Sequence, residues 1–180
     1  MPTSKLVIER ISTPLKEISF DCGDADLNEF FLKDSFRYLD QLLAVTYFFK
    51  HENTKEIVAY FSVLNDGIEA DNRTKRKIPN EKRHKKIPAA KIGRLGVCKK
   101  YQKNGFGSKI LGFIKYFFIH ENKTGCRFLL ADAYNKPGVI KFYRKNGFEF
   151  LTEEDEELET RAMKFDLKPF EMKMKEMKMI

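Results

Sequence analysis

The chain has 180 residues, of which 42% are hydrophobic and 33% are charged, and its formal net charge is +8. This size is typical of one globular domain, and the sequence contains neither a secretory signal nor an apolar run long enough to cross a membrane. The three cysteines lack CxxC spacing, which argues against a disulfide framework or a metal site and favours the reducing cytoplasm.

The first half of the chain predicts a strand, a helix and a β-hairpin. Residues Lys5–Arg10 alternate as a strand does, and apolar residues recur at helical spacing over Leu27–Leu42. The runs Leu43–Phe49 and Ile57–Leu64 are rich in β-forming residues and flank a polar turn, so they predict two antiparallel strands.

A basic segment follows the hairpin. Residues Asp71–Lys91 hold nine Lys or Arg against two acids, and two prolines interrupt them, which predicts a long loop. The later predicted elements are the strand Ile92–Val97, a helix from Phe106, the strand Cys126–Ala131, a helix from Pro137 that stops before Gly147, the strand Phe148–Leu151 and a last strand from Met163. This order predicts a mixed α/β fold with a central sheet.

Two charged segments lie near the end of the chain. Residues Glu153–Glu159 are almost entirely acidic, which is typical of a solvated loop. We assign residues 1–168 to a single domain. Residues 169–180 form a tail rich in Met and Lys, whose pattern leaves helix and strand open, and we assign it no function.

The segment Lys91–Leu111 carries the clearest chemical signal. Its apolar strand leads into Gln102-Lys103-Asn104-Gly105-Phe106-Gly107, and a helical pattern starts at once. A glycine turn at a helix N-terminus can hold a pyrophosphate on backbone N–H groups, although many such turns bind nothing.

Here the sequence resembles the GNAT superfamily of N-acetyltransferases. Residues Gln102, Gly105 and Gly107 match its Q/R-x-x-G-x-G/A motif, and Asn135–Phe148 is similar to its second signature, with Tyr143 in register. The resemblance implies a twisted, mostly antiparallel sheet of about six to seven strands flanked by helices. It implies acetyl-CoA as the cofactor, bound by Leu95, Val97, Gln102, Lys103, Asn104, Gly105, Phe106, Gly107, Ser108 and Asn135.

The resemblance also implies that Tyr143 is the general acid, which donates a proton or hydrogen bond to the departing thiolate. Without the motif, Tyr143 reads as a core residue and Asn135 as a helix cap. No acid lies within Lys91–Val97, so the general base stays open, with Asp132 as the weak candidate.

The opening segment Phe20–Asp34 resembles the F-x-C-G-x-x-x-L-x-x-F-L start of a GNAT branch that contains bacterial toxins. This implies acetylation of aminoacyl-tRNA and neutralisation by a small antitoxin, and a homodimer stays open. An aminoacyl ester amine has a lower pKa than lysine and needs less help in losing its proton. Basic residues that can contact RNA phosphates are Lys75, Arg76, Lys77, Lys82, Arg83, Lys85 and Lys86.

Two other functions stay open from the sequence. The chain fits a GNAT enzyme that acetylates a small-molecule amine or a protein, and it fits an RNA-binding module that has the fold without the activity. The basic segment lacks aromatic residues for base stacking, so any RNA selectivity must come from shape or from the acceptor end.

Overall fold

The computed structural model describes residues 5–69, 75–76, 78, 85–120, 122 and 125–180. The strands are β1 (Leu6–Arg10), β2 (Val45–His51), β3 (Ile57–Glu69), β4 (Lys86–Val97), β5 (Phe128–Tyr134), β6 (Glu149–Phe150) and β7 (Thr160–Asp166). The α-helices are α1 (Ala25–Glu29), α2 (Ser35–Asp40), α3 (Phe106–Ile119), α4 (Pro137–Lys145) and α5 (Leu167–Glu176). A π-helical turn, Phe30–Asp34, joins α1 to α2, and a 3-10 turn, Lys99–Tyr101, follows β4.

The strands form one seven-stranded sheet in the order β1-β2-β3-β4-β5-β7-β6. The pairs β1–β2, β2–β3, β5–β7 and β6–β7 are all antiparallel. The predicted mixed α/β fold with a mostly antiparallel central sheet is therefore confirmed.

The chain divides into two compact units, each with its own apolar core. The first unit comprises Met1–Leu64 and Ile92–Ile110, and the second comprises Asn65–Lys91 and Leu111–Ile180. The core of the first unit is largely aromatic and contains Phe20, Phe30, Phe31, Phe48 and Tyr60. A core cluster of the second unit contains Ile68, Ile87, Ala89, Phe128 and Leu130.

Strand β4 is longer than the sequence predicted. We expected a loop up to Lys91, but the strand already begins at Lys86. Ile87 and Ala89 are buried while Lys86 and Pro88 are exposed, which is the period-two alternation of a strand with one buried face. The lysines and the proline conceal this alternation, because both residue types are depleted in strands.

The C-terminal tail also has a defined structure. Its first residues belong to α5, which starts with Asp166 as N-cap, the Asp166 carboxylate accepting a hydrogen bond from Lys168 N. Leu167 is buried, whereas Met172 and Met177 are exposed. The tail is thus a helix over most of its length.

Candidate active site

The predicted site residues fall in both units, and each group has a distinct structural setting. The first group follows the end of β4. Gly96 packs against Tyr60 so closely that a Cβ atom there would lie 2.5 Å from Tyr60 Cε1 and 3.3 Å from Phe20 Cζ. Only glycine lets the strand approach these rings, so Gly96 fixes the position of its half-buried neighbours Leu95 and Val97.

Gln102 connects the turn after β4 to two other backbone segments. Its side-chain Nε2 donates hydrogen bonds to the carbonyl oxygens of Cys22, at 2.7 Å, and of Val97, at 2.9 Å. The side chain of this motif residue therefore ties the glycine turn to the end of β4 and to the opening segment.

The loop that follows Gln102 turns through two residues with left-handed backbone conformations. Lys103 has a φ of 62° and Gly105 a φ of 78°, both in the left-handed region. A Cβ atom at Gly105 would meet nothing within 4 Å, so the surface beside this glycine is open. Helix α3 begins at Phe106. The Lys109 N–H donates a backbone hydrogen bond of 3.1 Å to the carbonyl oxygen of Gly105, so the glycine is joined to the first turn of the helix.

This loop fits a diphosphate for two physical reasons. The N–H groups in the first turn of an α-helix have no acceptor within the helix, and the helix dipole places partial positive charge there. Asn104, Gly107 and Ser108 lie in the same loop or first helical turn. The predicted cofactor-binding stretch from Gln102 to Ser108 is thus one uninterrupted segment that ends in the first turn of α3.

The opening segment reinforces the turn with charge. Asp21 Oδ2 lies 2.8 Å from Lys99 Nζ, and Asp21 Oδ1 accepts hydrogen bonds from Asn28 Nδ2 and Gly23 N. The Lys99 hydrogen bond, followed by those of Asn28 and Gly23, lowers the pKa of Asp21 to about 2. Asp21 is therefore ionised at neutral pH and keeps Lys99, the first residue of the 3-10 turn, in place.

Tyr143 belongs to the second unit and lies in α4. It is buried, with 8% of its surface exposed, and its ring packs edge-on against Phe142 and Phe148 at centroid distances of 5.2 and 5.3 Å. Burial, with a contribution from the Asp132 carboxylate, raises the pKa of Tyr143 to about 12. The hydroxyl makes no hydrogen bond to any residue that the structure describes, so it is a protonated donor without a protein acceptor.

The start and end of α4 orient this tyrosine. Pro137 lies in the first turn of the helix, and Gly147, with a φ of 81°, reverses the chain after it. Tyr143 O accepts a hydrogen bond from Phe148 N, at 3.1 Å. The Tyr and Gly-Phe positions of the second motif are therefore linked through the backbone.

Asn135 does not cap α4. The interpretation of Asn135 as a helix cap is therefore wrong. The N-cap is Lys136, and no side chain caps it. Asn135 Nδ2 instead donates to the carbonyl oxygens of Glu156, at 2.8 Å, and Leu158, at 3.0 Å, so this side chain holds the acidic loop. Asp132, the candidate base, forms an ion pair with Lys91.

The acidic loop is not fully solvated either. Asp155 is buried and its Oδ1 accepts a hydrogen bond of 2.7 Å from Nε of Arg161, which is also buried. Asp155 Oδ2 accepts a further hydrogen bond from Ala162 N. One residue of the predicted acidic surface is thus a core ion-pair partner.

The basic segment is described in part. Lys75 and Arg76 precede Ile78, which packs against the core of the second unit, whereas Lys85 is exposed and Lys86 starts β4. Lys77, Lys82 and Arg83 lie outside the described residues.

Other nucleophilic or metal chemistry finds no support in the described ranges. Cys22 Sγ lies 3.1 Å from Asn28 Oδ1, and burial raises the pKa of its thiol. His51 Nε2 lies 3.1 Å from the Tyr101 hydroxyl, and His120 stacks on Tyr116. In the part of the chain that the structure describes, no three His, Cys, Asp or Glu side chains form a metal-binding group.

The helices of the described residues include none that is long and apolar enough to span a membrane.

Comparison with known proteins identifies the class of enzyme. The family described as Acetyltransferase (GNAT) domain matches residues 45–150, which is more than half of the chain. The chain therefore belongs to the GNAT acetyltransferase family, and it is an N-acetyltransferase that uses acetyl-CoA. No curated protein sequence matches it.

Solved structures share the fold over almost the whole chain. A Tyr-to-Phe mutant of KacT aligns with a TM-score of 0.77 and 22% identity, covering 93% of this chain and 98% of the other. AtaT complexed with acetyl-methionyl-tRNAfMet gives the same four values. AtaTR bound with AcCoA aligns with a TM-score of 0.75 and 23% identity, covering 93% and 96%.

We expect Gln102→Ala to weaken acetyl-CoA binding. The variant loses two hydrogen bonds that hold the loop on the end of β4, each worth about 1 kcal/mol, so the KM for acetyl-CoA should rise about tenfold or more. Steady-state kinetics provide the measurement, with Gln41→Ala as the matched control on an exposed turn. An unchanged KM in the Gln102 variant would show that the loop keeps its shape without this side chain.

Proposed function

We propose that this enzyme transfers the acetyl group of acetyl-CoA to the α-amino group of an aminoacyl-tRNA and acts as the toxin of a toxin–antitoxin pair. The observation that carries the proposal is the similarity, over 93% of the chain, to AtaT in complex with acetyl-methionyl-tRNAfMet. The opening segment, whose Asp21 and Cys22 contact the turn after β4, is consistent with the same branch.

The distribution of charged groups favours an amine of low pKa. The only ionisable side chains within Lys91–Val97 are cationic, and Asp132 is engaged by Lys91. An α-amino group has a pKa of about 7.7–8.0, against about 10.4 for lysine, so at pH 7 roughly a tenth to a sixth of it is already unprotonated, against less than about a thousandth of a lysine amine. Such an acceptor reacts without a strong general base.

Tyr143 supplies the proton donor in this proposal. Acetyl-CoA provides an acetyl thioester; the amine nitrogen forms a bond to the acetyl carbon while the carbon–sulfur bond breaks. Tyr143 Oη donates a hydrogen bond to the leaving sulfur, and the proton lost by the amine balances the one that the thiol gains. The unpaired hydroxyl of Tyr143 is suited to this role, because it gives up no protein contact.

Basic side chains would contact the RNA backbone. Lys75, Arg76 and Lys85 are candidates among the described residues, as is Lys86 at the start of β4. Contacts of this kind give binding that weakens steeply with salt and tolerates sequence changes. Lys77, Lys82 and Arg83 complete the proposed set.

We also propose that a small antitoxin neutralises the enzyme, and that both act in the cytoplasm, where charged tRNA is found. The support is the similarity to a mutant AtaT toxin bound to the C-terminus of the antitoxin AtaR, and to the KacTA–DNA complex. Co-expression of a neighbouring small reading frame should then relieve growth inhibition by this chain.

The direct test is parallel transfer of radiolabelled acetyl groups to charged tRNA, deacylated tRNA, total protein and a polyamine panel. We expect label on charged tRNA, and we expect base treatment to release it as an N-acetylated amino acid. Label on protein or polyamines alone would replace this function with a general amine acetyltransferase. The absence of label on every acceptor would favour an RNA-binding module without activity.

The pH dependence follows from the two proton-bearing groups. The amine must be neutral, so kcat/KM should rise with pH and level off above its pKa of about 7.7–8.0. Tyr143 must stay protonated, and its pKa of about 12 means that no loss of activity arises from it below that pH. Initial rates on charged tRNA between about pH 6 and pH 9 measure this profile. A continued tenfold rise per pH unit up to pH 9 would contradict an α-amino acceptor.

A further inference from the structure

Arg94 is held in a defined orientation that the proposed chemistry does not use. It lies in β4 directly before Leu95, in the first unit, and its guanidinium carbon lies 5.2 Å from the centre of the Phe30 ring. Its Nε lies 3.5 Å from Asp26 Oδ2, and its Nη1 donates to the Gly93 carbonyl, at 2.9 Å. The guanidinium thus lies over an aromatic ring and beside a carboxylate, which both favour this position of the cation.

Both partners of Arg94 come from the opening segment, and Phe30 is held by its own packing. Phe30 is buried, packs edge-on against Tyr38 at 5.1 Å and lies parallel to Tyr60 at 6.3 Å. Tyr60 in turn donates to the carbonyl of Leu27, at 2.7 Å. The motif residue Phe30 and its neighbour Asp26 therefore have a physical role, which is to support one arginine of β4.

Part of the guanidinium has no protein partner. The Nε atom is buried yet makes no hydrogen bond within the described residues, and the Nη2 group has no acceptor among them either. Of the whole side chain, 38% is exposed, and because Nε is buried, the unpaired group that a ligand can reach is Nη2. An arginine that lies over an aromatic ring and exposes the Nη2 end of its guanidinium is arranged to bind an oxyanion there.

We propose that Arg94 binds a phosphate of the RNA acceptor next to the aminoacylated end. The inference rests on the proposed function and extends it to a residue that determines how the acceptor binds. Phosphate is the oxyanion of that substrate, and the planar fork of arginine contacts phosphate oxygens through two N–H groups at once. Arg94 directly precedes Leu95, and the end of its strand is the segment that we assign to the acetyl-CoA arm.

The test compares two acceptors that differ in phosphate. For Arg94→Gln we expect the KM for charged tRNA to rise about tenfold or more, with kcat and the KM for acetyl-CoA unchanged. The KM for a 3′-aminoacyl-adenosine, which has no phosphate, should stay at the wild-type value. The log–log slope of tRNA affinity against salt should fall by about one. Arg94→Lys keeps the charge without the fork and should give a smaller rise.

The matched control is Arg37→Gln, because Arg37 is an exposed arginine that pairs with Asp34 three residues away. It should leave all these constants unchanged. Equal losses on both acceptors, or a loss in kcat alone, would assign Arg94 to packing against Phe30 and overturn the proposal. Acetylation of charged tRNA by the wild type, with no selective effect of Arg94→Gln, would overturn this inference alone. Failure of the wild type on charged tRNA would instead overturn the proposed function, and this inference with it.

Discussion

Replacing Tyr143 with phenylalanine should lower kcat by about 10²–10³-fold and leave acetyl-CoA affinity nearly unchanged. The hydroxyl is protonated, because burial raises its pKa to about 12, and it has no hydrogen-bond acceptor among the described residues. Its removal therefore deletes a donor without leaving another protein group unpaired. Stopped-flow or steady-state rates combined with acetyl-CoA titration separate the two quantities.

The raised pKa also specifies how Tyr143 acts. A free thiol has a pKa of about 8.5, so complete proton transfer from a tyrosine of pKa about 12 is unfavourable. Tyr143 should therefore stabilise the departing thiolate mainly as a hydrogen-bond donor, and a solvent proton can complete the thiol. A modest solvent isotope effect on kcat is the expected sign of this behaviour.

The control for this substitution is Tyr116→Phe, a half-buried tyrosine of α3 that stacks on His120. Both variants should unfold at nearly the wild-type temperature, because neither loses a hydrogen bond within the described residues. If Tyr143→Phe turned over at the wild-type rate, Tyr143 would be a packing residue and another donor would have to be found.

The second large effect is on stability. We expect Asp155→Ala to lower the free energy of unfolding by about 3–5 kcal/mol, because it leaves a buried cation without its carboxylate. Asp155 and Arg161 are only 7% and 5% exposed, and their atoms Oδ1 and Nε lie 2.7 Å apart. The substitution also removes the acceptor of Ala162 N. Denaturant unfolding measures the change.

The matched control is Glu154→Ala, which removes an exposed carboxylate from the same loop and should change stability by less than about 0.5 kcal/mol. Exposed Glu153 lies 3.6 Å from Arg161 and can compensate only in part. Replacing Asp155 and Arg161 together by apolar residues should recover much of the loss. Equal effects of the Asp155 and Glu154 variants would mean that the buried ion pair contributes little.

Local patterns predicted the parts of the fold that depend on neighbouring residues. The glycine turn, the apolar face of α3 and the helix that ends before Gly147 are all encoded within one or two turns of chain. The resemblance of two short motifs to the GNAT family singled out Gln102 and Tyr143, and their roles in binding and catalysis stay predictions.

Long-range pairing could not be predicted in the same way. Asp155 reads as one acid among many in its loop, and only its proximity to Arg161 in the folded chain distinguishes it. Asn135 resembles a helix cap by position, yet the loop carbonyls of Glu156 and Leu158 take its amide protons. Nothing in the sequence indicated what Arg94 contacts, because its partners Asp26 and Phe30 are distant along the chain.

The most direct test of the central claim is calorimetric titration of the protein with acetyl-CoA and with S-acetylpantetheine, which has the acetyl thioester but no diphosphate. If the backbone from Gln102 to Ser108 binds the diphosphate at the start of α3, acetyl-CoA should bind at least about a hundredfold more tightly. Equal affinities for the two compounds, or no heat with acetyl-CoA, would contradict the account.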